Sequence, residues 1–371
     1  MTDDLFSTLQ LRDLEVPNRV MLSPMCQYSC EDRDGMATEW HRVHLGSRAV
    51  GGAGIVMTEA TAVEARGRIT PEDLGIWSDE HGEALAPVAE FVSEQGGVPA
   101  IQLAHAGRKA SKTRPWDGSV PVAREDGGWE TVAPSAEPWP YDEDDGEAPA
   151  TRRMDNDDVA DVRQSFVAAA ERARDAGFRV AEVHAAHGYL LHEFLSPVTN
   201  DRDDEYGGSF ENRTRLVREI VSDVREVWPD GDPVFVRISA TDWLDDEESW
   251  DVEQSVRLAE ELDDLGVDLL DVSAGGIRPD SAPEQAGPGY QVPLAETITR
   301  EADVEMKVGA VGGIETAEQA DALVRNGRAD LAILGRKHLR DPYFTLNAAK
   351  KLGREDAVEP PVQYARGFPE L

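Results

Sequence analysis

Eight short apolar runs punctuate the chain: Val20–Ser23, Gly54–Thr58, Pro99–Leu103, Val180–His184, Val234–Ile238, Leu269–Ser273, Met306–Gly309 and Leu331–Leu334. Each is the length of a strand buried on both faces, and longer stretches of helical period separate them. Over Asp157–Ala176 the residues Val159, Val162, Phe166, Ala169, Ala170 and Ala173 recur on one helical face, and Gly177 ends the pattern. Asp251–Leu265 repeats the device with Val252, Val256, Leu258, Ala259 and Leu262 before Gly266. Eight βα units in succession predict an α/β fold, a single (β/α)8 TIM barrel spanning 1–371. The competitor is an open doubly wound sheet, but no G-x-G-x-x-G follows the first strand. Residues 111–153 break the rhythm with Pro, Gly, acid and the aromatics Trp116, Trp129, Trp139 and Tyr141. They read as a long excursion loop after the third strand that packs down over something.

Charge narrows the partners. Thirty-seven basic residues against 73 acidic ones leave −36, a field that repels phosphate backbones and anionic membranes. Lysine occurs only at 109, 112, 307, 337, 350 and 351, and the acids are scattered over the whole chain. Such a surface suits a salt-rich cytoplasm, where screening over about 3 Å at 1 M removes self-repulsion; a halophilic source is the expectation. No secretory leader, no membrane-length apolar run and only two cysteines, Cys26 and Cys30, point to a cytoplasmic protein without a disulfide framework.

In a barrel of this kind, chemistry sits at the carboxyl ends of the strands. The ends after strands seven and eight, "GAVGG" and "GRKHL", are where backbone amides bind phosphate, and Arg336 adds a cation there. Gln102 can offer a heterocycle edge both a donor and an acceptor, and Arg237 a fixed charge. A flavin needs both, although a buried Gln or Arg at a strand end also has an ordinary structural use. After strand four, "HAAHGY" brings His184, His187 and Tyr189 to the mouth. The histidines could be zinc ligands of a barrel hydrolase, but H-x-x-H is not H-E-x-x-H. Paired donors to a substrate oxygen are the better reading. His192 reads as structural.

The stretches "NRVMLSPMCQYS", "DLGIWSDEH", "IQLAHAGRKA", "EVHAAHGYLLHEFLSPVTNDRDDEYGGSFENR", "GRADLAILGRKHLRDP" and "PVQYARGF" closely resemble the Old Yellow Enzyme family of FMN-dependent ene-reductases, over residues 5–368. Cys26 and Arg366 make the likeness greatest to its thermophilic-like and xenobiotic-reductase branch.

The resemblance implies one FMN, with NADPH or NADH as reductant and a small activated alkene as oxidant. His184 and His187 would hold the substrate oxygen, Tyr189 would protonate the α-carbon, and Tyr28 would contact substrate. Ser23, Pro24, Met25 and Cys26 would lie under the ring and Ala60 at its edge. Gln102 and Arg237 would meet the pyrimidine, and Gly309, Gly312, Gly313, Gly335 and Arg336 the phosphate. Arg366, in the tail 354–371, would enter a neighbour's site in a homodimer or homotetramer. No metal is expected. The alternatives are a xenobiotic, nitro-ester or quinone reductase on the same scaffold, or the metal-dependent hydrolase.

Overall fold

The computed structural model describes residues 3–283 and 285–367. In chain order the strands are β1 (Leu9–Leu11), β2 (Leu14–Val16), β3 (Val20–Leu22), β4 (Ile55–Ala62), β5 (Val98–Ala104), β6 (Thr131–Ala133), β7 (Thr151–Arg153), β8 (Val180–Ala185), β9 (Val234–Ser239), β10 (Leu269–Ser273), β11 (Lys307–Ala310) and β12 (Leu331–Leu334). The eight anticipated runs, β3, β4, β5 and β8 to β12, close into one parallel barrel in chain order, with β12 pairing back onto β3.

The main outer helices are α1 (Glu39–Val50), α2 (Asp79–Glu94), α3 (Asn156–Asp175), then, past two short helices α4 (Leu190–Leu195) and α5 (Phe210–Arg213), α6 (Arg215–Val227), α7 (Val252–Asp264), α8 (Val292–Glu301) and α9 (Ala317–Arg325). Two more, α10 (Arg336–Arg340) and α11 (Phe344–Lys351), follow the last strand. The helix ends obey local chemistry. Asp155 caps α3 by accepting the Asp158 N–H, and the chain leaves that helix through Gly177 at φ +93°. All six apolar positions read from the α3 sequence are buried.

Inside the barrel, Met21, Ile55, Met57, Val98, Ala100, Val180, Phe235, Leu269, Leu331 and Ile333 form one apolar cluster. Leu9, Leu11, Leu14 and Val16 of the β1–β2 hairpin join it and stopper the amino-terminal end. The hairpin was not expected from the sequence, because two three-residue strands carry no readable period. Each of these large side chains contributes about 1.5–3 kcal/mol by leaving water. The lower barrel is therefore solid core, and polar side chains are confined to the carboxyl-terminal half.

Two expectations need correction. The second strand runs past Thr58 to Ala62, with a register shift between Met57 and Ala60. Ala60 thus lies within β4, opposite Gln102, and not in the loop after it. The excursion 111–153 is also less irregular than its composition suggests: β6 and β7 pair in parallel across it, Thr131 with Thr151.

Candidate active site

At the carboxyl-terminal mouth a cavity of about 320 Å³ is lined by Ser23, Pro24, Met25, His187, Arg237, Gly312, Gly313, Gly335 and Arg336, all anticipated, together with Ser273, Tyr290 and Gln291, which were not. Gly309 is absent from that lining. It lies inside β11, and a side chain there would run into Ile333 Cδ1 at 2.6 Å, so its glycine serves barrel packing and not the phosphate loop. Gly312 and Gly313 do line the cavity, at φ +113° and +67°, the left-handed region that suits glycine. A side chain at Gly312 would press on Gln291.

His184 lies on β8 and His187 three residues beyond it, held at φ +62°. The His187 N–H donates to Ser239 Oγ at 2.9 Å, and its Nε2 lies 2.7 Å from Ser273 Oγ. The two imidazole centroids are 5.2 Å apart, and the Tyr189 ring is 5.3 Å from His184. Burial, reinforced by the Arg237 charge, holds both histidines well below the usual imidazole range, so at neutral pH they are uncharged. Burial pushes the Tyr189 phenol well above its ordinary value, which keeps the proton on it. Burial likewise lifts the Cys26 thiol, aided by Asp73 and Glu59, so Cys26 presents a neutral sulfur and not a thiolate nucleophile. Cys26 and Cys30 are both free.

Four residues that the sequence reading passed over position this loop. Lys109 Nζ donates to His187 O at 2.8 Å and Gly276 O at 2.9 Å, and stands 5.0 Å from the Tyr189 ring centroid. His192 Nδ1 accepts the Gly188 N–H at 2.8 Å, while its Nε2 lies 2.9 Å from Asp242 Oδ1 at a bent approach. Asp242 is itself fully buried and accepts from Ser196 Oγ and the Trp250 N–H. His192 is therefore structural, as read, but it fixes the peptide between His187 and Tyr189. The signal for Ser239 and Ser273 was strand alternation, which points them inward at the last turn of β9 and β10.

Below the mouth, Gln102 Nε2 donates to Glu182 Oε1 at 2.7 Å, and Arg237 Nη1 donates to Ser23 Oγ at 3.2 Å. Among the described residues the Gln102 side chain makes only its bond to Glu182, and Arg237 Nε is buried without an acceptor. Both thus retain polar capacity for a heterocycle. A flavin mononucleotide fits this donor set: glycine amides and Arg336 for a phosphate, Arg237 and Gln102 for a pyrimidine, and small Ala60 where a flat ring would pass.

The excursion roofs the aromatic side of the mouth. Trp129, like Cys26, Tyr28 and Tyr189, packs against the buried cluster of Ile69, Ala106 and Ala110, and the Trp139 ring centroid lies 4.4 Å from Lys109 Nζ. Tyr28, at φ +51°, meets Trp116 edge-on at 5.7 Å. Arg366 is exposed and not at this mouth. Its tail passes the opposite end, where Val362 shares a groove with Pro17, Gly52 and Gly97, ahead of β3, β4 and β5. The tail beyond residue 367 lies outside the described residues. Among the described residues no three His, Cys, Asp or Glu side chains converge as a metal site, and no helix is long and apolar enough to cross a membrane.

Comparison with known proteins matches residues 4–355 to the sequence model of the NADH:flavin oxidoreductase / NADH oxidase family. The chain is 47% identical to an NADPH dehydrogenase of Geobacillus sp. (strain WCH70) over 98% of both chains. It is 45% identical to an NADPH dehydrogenase of Bacillus subtilis (strain 168) over 99% of this chain and 100% of that one. Among solved structures, morphinone reductase superposes with a TM-score of 0.77 at 28% identity, over 98% of this chain and 93% of the other. The old yellow enzyme homologue of Zymomonas mobilis gives 0.76 at 26% identity over 100% of both. A 2-naphthoyl-CoA reductase gives 0.84 at 25% identity, the chain covering 53% of that longer protein.

Proposed function

The chain belongs to the NADH:flavin oxidoreductase / NADH oxidase family, the Old Yellow Enzyme family, and is an NAD(P)H-dependent flavin oxidoreductase with FMN as its cofactor; from that premise we propose that it is an ene-reductase. Its oxidants are small α,β-unsaturated carbonyl or nitro compounds. Bound FMN would supply the hydride chemistry, from NAD(P)H to the β-carbon of the acceptor. The rest is the work of this chain's residues. His184 and His187 donate to the acceptor's oxygen and stabilise the negative charge that develops there, and being uncharged they keep the site accessible to an uncharged substrate. Tyr189, held protonated by burial, delivers its proton to the α-carbon. Arg237 and Gln102 engage the pyrimidine edge, Gly312, Gly313, Gly335 and Arg336 the phosphate, and Cys26 and Ala60 the ring.

The observation that carries this reading is the convergence of His184, His187 and Tyr189, with ring centroids 5.2 and 5.3 Å apart, beside the buried Arg237. Rapid-mixing kinetics of the two half-reactions test it. Replacing both histidines with alanine should leave FMN bound but slow reduction of a cyclic enone by roughly a hundredfold or more, a usual loss for an oxyanion-type donor. Unchanged enone turnover removes the donor role.

Three further parts of the reading belong here. The protein assembles as a homodimer or homotetramer in which Arg366 serves a neighbouring mouth, since its own tail runs past the far end of the barrel. It lies within the thermophilic-like and xenobiotic-reductase branch. It works in a salt-rich cytoplasm, which the charge of −36 suits.

A further inference from the structure

Two carboxylates lie sealed beneath the mouth. Along β8 the inward side chains are Val180, Glu182 and His184; along β10 they are Leu269, Asp271 and Ser273. The ladder sets Glu182 beside Gln102 and Asp271 beside Arg237, the two predicted pyrimidine contacts. Both acids have 0% exposure, with buried Phe235 beside Glu182 on the neighbouring strand and buried Leu269 two residues before Asp271.

The polar accounting of this layer does not close. Glu182 Oε1 accepts from Gln102, but Oε2 accepts from no described group. Neither oxygen of Asp271 receives a hydrogen bond, and its nearest cation is Arg237, with Nε 3.5 Å from Oδ2. The groups facing the pair are Gln102 from β5, His184 from the next turn of β8, Arg237 from β9 and Ser23 beyond β3. Only Arg237 is charged, so two ionised acids would leave one negative charge buried in low dielectric. One of the two is therefore held neutral. Burial is the largest cause lifting both carboxyls, Asp271 adds to it for Glu182, and Arg237 opposes it.

We propose that Glu182 and Asp271 form a redox-linked proton site for the flavin: the pair takes up one proton when the bound ring is reduced and releases it when the ring is reoxidised. The inference rests on the functional reading above, in which FMN lies against Gln102 and Arg237. NAD(P)H delivers two electrons and one proton as hydride and departs oxidised, leaving one added negative charge on the pyrimidine side. That charge draws on Arg237, the sole counter-ion of Asp271, and the pair answers by binding one proton from solvent. When the hydride leaves for the β-carbon and Tyr189 protonates the α-carbon, Arg237 is returned to Asp271 and the pair's proton goes back to solvent. Glu182 and Asp271 are positioning residues that act through Gln102 and Arg237.

The test is the midpoint potential of FMN in the purified holoenzyme from about pH 6 to about pH 8, above the ordinary carboxylate range near 4. With a second proton taken up per two electrons, the reduction constant should fall a hundredfold per pH unit, about 60 mV, and in the double variant Glu182→Gln/Asp271→Asn only tenfold, about 30 mV. The reduced-minus-oxidised infrared spectrum of the wild type should also gain a protonated-carboxyl band that the double variant loses. The wild-type band can be read even if the variant folds poorly. Equal slopes in the two proteins, or no gain of that band in the wild type, overturn the proposal while leaving the flavin reading intact. A folded protein that retains no FMN would instead sink the functional reading.

Discussion

Replacing Asp242 with asparagine should damage the site from a distance by reversing a tautomer. Asp242 Oδ2 accepts from Ser196 Oγ at 2.7 Å and the Trp250 N–H at 2.9 Å, while Oδ1 lies 2.9 Å from His192 Nε2. His192 Nδ1 accepts the Gly188 N–H, so the ring proton is on Nε2. In Asp242→Asn the amide oxygen keeps Ser196 and Trp250, and the NH2 group is driven against Nε2–H. Relief requires moving the ring proton to Nδ1, where it meets the Gly188 N–H. Either way a buried donor loses its acceptor, at about 1–3 kcal/mol, and a hydrogen bond to a charged group worth about 1.5–3 kcal/mol is lost. The sum, about 2.5–6 kcal/mol, spans the about 3–5 kcal/mol that removing one partner of a buried ionic pair usually costs. Amide hydrogen exchange of the Ala185–His192 segment in the FMN-bound protein is the assay. Exchange at Gly188 and Tyr189 should quicken by about a hundredfold or more, at 1.4 kcal/mol per factor of ten, and enone reduction should fall with it. Exchange and turnover both within a factor of about five of wild type would refute the tautomer argument.

Other outcomes follow from single observations. Gly312→Ala places a side chain at φ +113° against Gln291 and should cost about 1–3 kcal/mol of local strain; fluorescence titration should show FMN affinity down at least tenfold in a protein that still folds. Burial works to raise the Glu64 carboxyl, but hydrogen bonds from His105 and Arg66 outweigh it and hold the group down to about 2. Its contribution, up to about 3 kcal/mol, is therefore full above the unfolded value near 4.3 and is lost as pH falls toward about 2. Denaturation curves of Glu64→Gln should lack that acid limb. With a charge of −36, raising KCl from about 0.1 M to about 2 M should raise the melting temperature and preserve activity; loss of both in molar salt contradicts the halophilic reading.

What the sequence disclosed followed from periodicity and from strand ends. The barrel strands were visible because each is buried on both faces, and the helices because polar and apolar faces alternate cleanly, as over α3. His184, His187 and Tyr189 were visible because three polar rings directly after an apolar run have few structural uses. The β1–β2 hairpin was hidden by its brevity, although it stoppers the barrel through four side chains. The β4 extension was hidden because its register shift disguises the alternation. Glu182 and Asp271 were passed over for a different reason: a lone acid inside an apolar run resembles the solvent-facing member of an alternating strand. Only barrel closure reveals that it faces inward. Lys109 holds the His187 carbonyl from 78 positions away and Asp242 acts on the loop through His192, and no local pattern reports such contacts.

The most direct measurement is a titration of FMN into cofactor-stripped, refolded protein, followed by quenching of flavin fluorescence. The account predicts saturation at one FMN per chain, restoring a yellow protein that NADPH bleaches in the absence of oxygen. A well-folded chain that leaves flavin fluorescence unquenched at every ratio would contradict it.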